Sequence, residues 1–109
     1  MLFKKEYTFE QRVQESARKR VKYSTSVPVI VERALSSTIQ DMRRRKFILH
    51  AECKIEELMF IIRKRIHLTS NKPIFLFAKN IFLESSDTIG QVDNNFKDND
   101  GFLYVSYSG

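Results

Sequence analysis

The chain has 109 residues, 42% of them hydrophobic, which is enough apolar material for one core and not for two. Its single cysteine, Cys53, excludes a disulfide framework and a cysteine metal cluster, and it fits a reducing cytoplasmic setting. The net charge of +6 is concentrated: residues 1–23 carry seven Lys or Arg against three Glu, and residues 43–65 carry eight against three. Such stretches suit acidic peptides, anionic lipid surfaces or nucleic acid.

In chain order, Phe3 and Tyr7 are spaced for a short turn of helix. Phe9, Val13, Ala17 and Val21 then predict an amphipathic helix up to Tyr23, N-capped by Thr8 with Gln11 completing a capping box. Ser24-Thr25-Ser26 breaks it. Val27-Pro28-Val29-Ile30-Val31-Glu32 reads as a β-branched strand with Pro28 near its start, and Lys46-Phe47-Ile48-Leu49-His50 as its hairpin partner. Ile55, Leu58, Met59, Ile62 and Ile66 form the stripe of a helix over 55–68, whose last turn gathers Arg63, Lys64 and Arg65 at the negative end of the dipole. Pro73 to Ala78 predicts a central strand, and Asp87 or Thr88 caps a short helix containing Ile89 and Val92. The turn Asp98-Asn99-Asp100-Gly101 delivers a last strand from Phe102 to Tyr107.

Helix, hairpin, crossing helix, strand, short helix and strand is the order of an α+β ubiquitin-like β-grasp. The expectation is a single domain over 1–109 with a four-stranded mixed sheet, in which residues 1–24 form an N-terminal helical extension and 25–109 the β-grasp core. A fold alone carries no function.

The segments Val27 to Glu32, Ile61-Ile62-Arg63-Lys64-Arg65-Ile66-His67-Leu68 and Asp100 to Ser108 resemble the signature segments of the autophagy-related ubiquitin-like modifiers, the GABARAP and light-chain family. Phe9-Glu10 with Arg12, and Lys46 with Phe47, fall in register with it. The resemblance implies conjugation of a C-terminal glycine to phosphatidylethanolamine by ubiquitin-like E1- and E2-type enzymes, with a cysteine protease that processes and delipidates. It also implies a protein that is cytoplasmic, and on autophagosomal or vacuolar membrane when lipidated, where it binds cargo receptors and machinery carrying W/F/Y-x-x-L/I/V motifs.

Such a motif adds as a strand to an open sheet edge, for which Lys46 to Leu49 is the candidate. The resemblance places Glu15, Pro28, Lys46, Ile48 and Phe102 around an aromatic pocket, with Lys19 where relatives carry an apolar residue. It places Phe47, Leu49, Cys53, Leu58, Ile61 and Ile62 around an aliphatic pocket. Arg65 would meet acidic residues flanking the motif. Gly109 is the expected conjugation residue, since a glycine presents an unhindered carboxylate. Relatives usually carry a longer tail between the Tyr-Ser pair and the conjugated glycine, so the alternative is that Gly109 is an internal glycine.

No catalytic constellation is present in the sequence: Cys53 has no activating partner, His50 and His67 are scattered, and no phosphate-cradling glycine pattern exists. No cofactor or metal is expected. An unconjugated peptide-binding scaffold is the alternative reading, and a basic nucleic-acid-binding module a further one, although Phe75, Phe77 and Phe102 read as core rather than stacking platforms and no nucleic-acid partner is expected.

Overall fold

In a computed structural model, residues 2–69 and 71–109 are described. The elements are α1 (Leu2–Glu6), α2 (Phe9–Lys22), β1 (Ser26–Arg33), β2 (Lys46–His50), α3 (Ile55–Arg65), β3 (Phe75–Ala78), β4 (Ile81–Phe82), α4 (Ile89–Phe96) and β5 (Leu103–Ser108). They build one mixed sheet in the order β2-β1-β5-β3-β4, with β1 and β5 parallel at its centre and the other pairs antiparallel. The expected β-grasp is present.

The sheet has five strands rather than the expected four. Ala78 and Ile81 pair across a two-residue turn in which Lys79 and Asn80 both have positive φ, 49° and 65°. That backbone twist suits a tight hairpin. No glycine announces it in the sequence, and β4 is only two residues long.

Alternation along β1 separates the main core from a small apolar cluster on the opposite face of the sheet. Val27, Val29 and Val31 face α3, whose Ile55, Leu58, Ile62 and Ile66 are buried as the predicted stripe requires, together with Leu103, Val105 and Tyr107 of β5. Ile30 faces the other way, where it packs with Phe3, Phe102 and Tyr104 beneath α1. Burying Phe3 completely contributes about 1.5–3 kcal/mol to holding α1 down.

Helix α3 stops at Arg65, three residues before the expected end. His67 adopts φ 55°, and the amides of His67 and Leu68 donate to the carbonyls of Lys64 and Arg63 at 3.4 and 3.0 Å. This paired closure of a helix usually employs glycine at the position His67 holds.

The predicted apolar stripe of α2 does not face the core. Phe9, Ala17 and Val21 are exposed, Val13 is half-buried, and Ser16 is the buried residue of the helix. The inward face is instead the polar row Arg12, Ser16 and Arg20, spaced four apart. Arg12 pairs with Asp100 at 2.7 Å, the Ser16 hydroxyl donates to the Asp100 carbonyl at 2.5 Å, and Arg20 makes a bidentate pair with Asp93 at 2.9 and 3.0 Å while donating to the Gly101 carbonyl. Polar partners from the turn before β5 therefore override the hydrophobic pattern. At its start, the predicted capping box is present: Gln11 N–H donates to Thr8 Oγ1 at 3.1 Å, and Thr8 N–H to Gln11 Oε1 at 2.8 Å. Thr88 rather than Asp87 caps α4 in the same way.

Gly101 lies where α2 meets that turn. Its φ is +91°, and a β-carbon there would lie 2.3 Å from the Ser16 hydroxyl. Gly101→Ala is expected to cost about 2 kcal/mol or more from backbone strain and displacement of α2, lowering the urea midpoint by about 1 M. An unchanged midpoint would contradict this account of the junction.

Candidate peptide-docking edge

Strand β2 has β1 on one side and an open edge on the other. The amide of Val31 donates to the Arg45 carbonyl and that of Ala51 to the Thr25 carbonyl, which fixes the alternation along the pair. Phe47 and Leu49 therefore turn their backbone groups toward β1, and Lys46, Ile48 and His50 turn theirs outward. The Lys46 carbonyl is capped for now by the Arg44 guanidinium at 2.9 Å.

Side chains of β2 alternate as well. Lys46 and Ile48 stand opposite Ile30 and Pro28, on the α2 side of the sheet, while Phe47 and Leu49 stand opposite Val29 and Val27 on the α3 side. On the α2 side, Pro28 and Phe102 are buried and Ile48 is half-buried. Lys46 bridges the edge strand to α2. Its ammonium lies 2.9 Å from Glu15 on α2 and within about 5.4 Å of the Phe3 and Tyr7 ring centres. Lys46 remains about half exposed, and an exposed pair of this kind is worth about 0–1 kcal/mol, so it yields readily to an incoming group. Lys19, on the following turn of α2, is half-buried.

On the α3 side, Phe47 and Leu49 are almost buried, Cys53 and Ile61 are half-buried, and Leu58 and Ile62 are wholly buried. Leu58 and Ile62 thus support this side from beneath, while Cys53 and Ile61 reach its surface. Half-exposed Met59, which sequence reading assigned to the core stripe, joins them against the same cluster. Burial and the neighbouring Glu57 raise the Cys53 pKa, which keeps the thiol protonated and poorly nucleophilic near neutral pH. The guanidiniums of Arg44 and Arg65 lie 4.8 and 5.6 Å from the Phe47 ring centre, so the predicted Arg65 is brought to the edge. Sequence reading placed Arg44 only in a general basic field.

Gly109 is remote from this edge. It is exposed at the end of β5, its amide donating to the Ser37 hydroxyl at 3.4 Å, and a β-carbon would lie 2.4 Å from Ile39 Cγ2. The seat fits glycine. Among the described residues, no helix is long and apolar enough to cross a membrane.

A mixed sheet with α3 packed across one face, here with α1 and α2 on the other, is the α+β fold of a ubiquitin-like protein. The model of the family described as "Autophagy protein Atg8 ubiquitin like" matches residues 11–109, and the chain belongs to that family. It is 43% identical to autophagy-related protein 8d of Arabidopsis thaliana over 98% of this chain and 89% of that protein. It is 40% identical to autophagy-related protein 8B of Oryza sativa subsp. indica, over 98% and 90%. The crystal structure of Trypanosoma brucei ATG8 superposes with a TM-score of 0.93 at 31% identity, covering 98% of this chain and 92% of that one. Its role as a ubiquitin-like autophagy protein follows from that membership.

Proposed function

We propose that this chain is conjugated through Gly109 to phosphatidylethanolamine on autophagosomal membranes, and that it recruits cargo receptors and autophagy machinery through W/F/Y-x-x-L/I/V motifs added to β2. Cytoplasmic protein would be handled by E1- and E2-type enzymes and a delipidating cysteine protease.

The observation that carries the reading is the open edge of β2 with apolar residues on both faces of the sheet beside it, Pro28, Ile48 and Phe102 on one and Leu49, Cys53 and Ile61 on the other. In an extended peptide, residues three apart point to opposite faces. An aromatic residue would enter beside Pro28, Ile48 and Phe102 while its aliphatic partner enters beside Leu49, Cys53 and Ile61. The peptide backbone would meet the outward groups of Lys46, Ile48 and His50, displacing Arg44, and acidic flanks would find Arg44 and Arg65.

Calorimetric titration of a Trp-x-x-Leu peptide tests the edge. Micromolar binding is expected, weakened at least tenfold by Lys46→Ala and by Leu49→Ala; salt-sensitive RNA binding without peptide affinity would favour a nucleic-acid module instead. Mass spectrometry of protein recovered from its own cells tests the conjugation. A lipid adduct lost in Gly109→Ala is expected, whereas an adduct that survives the substitution places attachment elsewhere.

A further inference from the structure

Helix α2 turns two rows of side chains toward the sheet. Arg12, Ser16 and Arg20 meet the turn before β5, whereas Glu15 reaches Lys46 on the edge strand with both carboxylate oxygens, at 2.9 and 3.1 Å. Lys19 lies one turn beyond Glu15 in that second row and is half-buried. Its level along β2 follows from two fixed points. Glu15 touches Lys46, which stands opposite Ile30, and the Tyr23 carbonyl at the helix end accepts from the Ser26 amide at 2.9 Å. The helical rise from 15 to 23 is about 12 Å and the strand rise from 26 to 30 about 13 Å, so α2 runs back along β1 nearly in step with it. Lys19, midway, is level with Pro28 and its partner Ile48.

Glu15 and Lys19 have the order and spacing of a stabilising helical ion pair. Glu15 is nevertheless taken by Lys46, and Lys19 forms no ion pair among the described residues. An ammonium has three donors and no acceptor. An aromatic side chain entering beside Ile48 and Pro28 covers Lys19 further, and a cation covered without an acceptor costs affinity. Of the tryptophan, phenylalanine and tyrosine anchors, tyrosine alone brings an acceptor. Its phenol oxygen accepts from Lys19 while its proton is free to go to Glu15; an indole N–H only donates, and phenylalanine does neither. Cation–π attraction favours tryptophan, but a hydrogen bond from a charged donor is the stronger contact.

We propose that Lys19 is a specificity-determining residue of the β2 edge and selects peptides whose aromatic anchor is tyrosine. The inference rests on the docking reading above and adds the identity of the anchor.

Calorimetric titration with three peptides that differ only at the anchor, Tyr-x-x-Leu, Phe-x-x-Leu and Trp-x-x-Leu, tests it. The unsubstituted protein should bind the tyrosine peptide about tenfold tighter than the phenylalanine peptide. Lys19→Met keeps an unbranched side chain with good helix propensity and removes the donors. It should abolish or reverse that ratio and tighten the tryptophan peptide, whereas Lys19→Arg, which keeps a charged donor, should preserve the preference for tyrosine. An unchanged tyrosine-to-phenylalanine ratio in Lys19→Met would overturn the role of Lys19 and leave the edge reading standing. Absence of binding by all three peptides would overturn the edge reading, and this inference with it.

Discussion

Asp100→Ala is expected to be among the most destabilising single substitutions outside the apolar core, costing about 3–5 kcal/mol. The side chain of Asp100 is fully buried, and its oxygens accept from Arg12, from the Phe102 amide at 2.8 Å and from the Tyr104 hydroxyl. Burial and the Asp100 carboxylate both raise the Tyr104 pKa, so the phenol remains a donor. Alanine leaves a mostly buried guanidinium, a phenol and an amide without their acceptor. For a domain of this size, thermal unfolding should fall by about 12 °C or more. Asp100→Asn, which retains an acceptor for the Phe102 amide but loses the charge, should fall between the two. A loss below about 1 kcal/mol would mean that α2 is held by something other than this carboxylate.

The second large effect is on the peptide. If aromatic and aliphatic anchors each contribute about 1.5–3 kcal/mol by burial, replacing both with alanine should weaken a micromolar ligand by at least about a hundredfold, to about 100 μM or weaker. Replacing one should leave binding in the range of about 10–150 μM. Retention of micromolar affinity by the doubly substituted peptide would show that backbone pairing or charge supplies the energy. Raising the salt should then discriminate, since contacts with Arg44 and Arg65 are screened and buried anchors are not.

Legibility in the sequence tracked the physical origin of each element. Strands β1 and β2 and helix α3 declare themselves through apolar spacing, because a hydrophobic interior holds them. Helix α2 does not: its row of Phe9, Val13, Ala17 and Val21 is regular, yet the acids that hold the opposite row are about 80 residues away. Arg12, Ser16 and Arg20 at spacings of four, with Asp93 and Asp100 near the last strand, were the available signal. The β3–β4 turn hides for a local reason, since Lys79 and Asn80 take positive φ without glycine. At the edge, Lys46, Phe47, Leu49 and Arg65 could be placed from register and resemblance. The Glu15 contact to Lys46 could be anticipated as proximity but not as an ion pair, and the division between the supporting Leu58 and Ile62 and the accessible Cys53 and Ile61 required the packed helix.

The polar row beneath α2 also sets an order of events during synthesis. Lys4, Arg12, Ser16 and Arg20 leave the ribosome well before Asp93, Asp98, Asp100 and Gly101. The Lys4–Asp98 contact spans 94 positions and the Arg12–Asp100 contact 88. Helices α1 and α2 therefore complete their docking only once residues near 100 emerge, and until then the nascent chain carries a cationic segment with Phe3 uncovered.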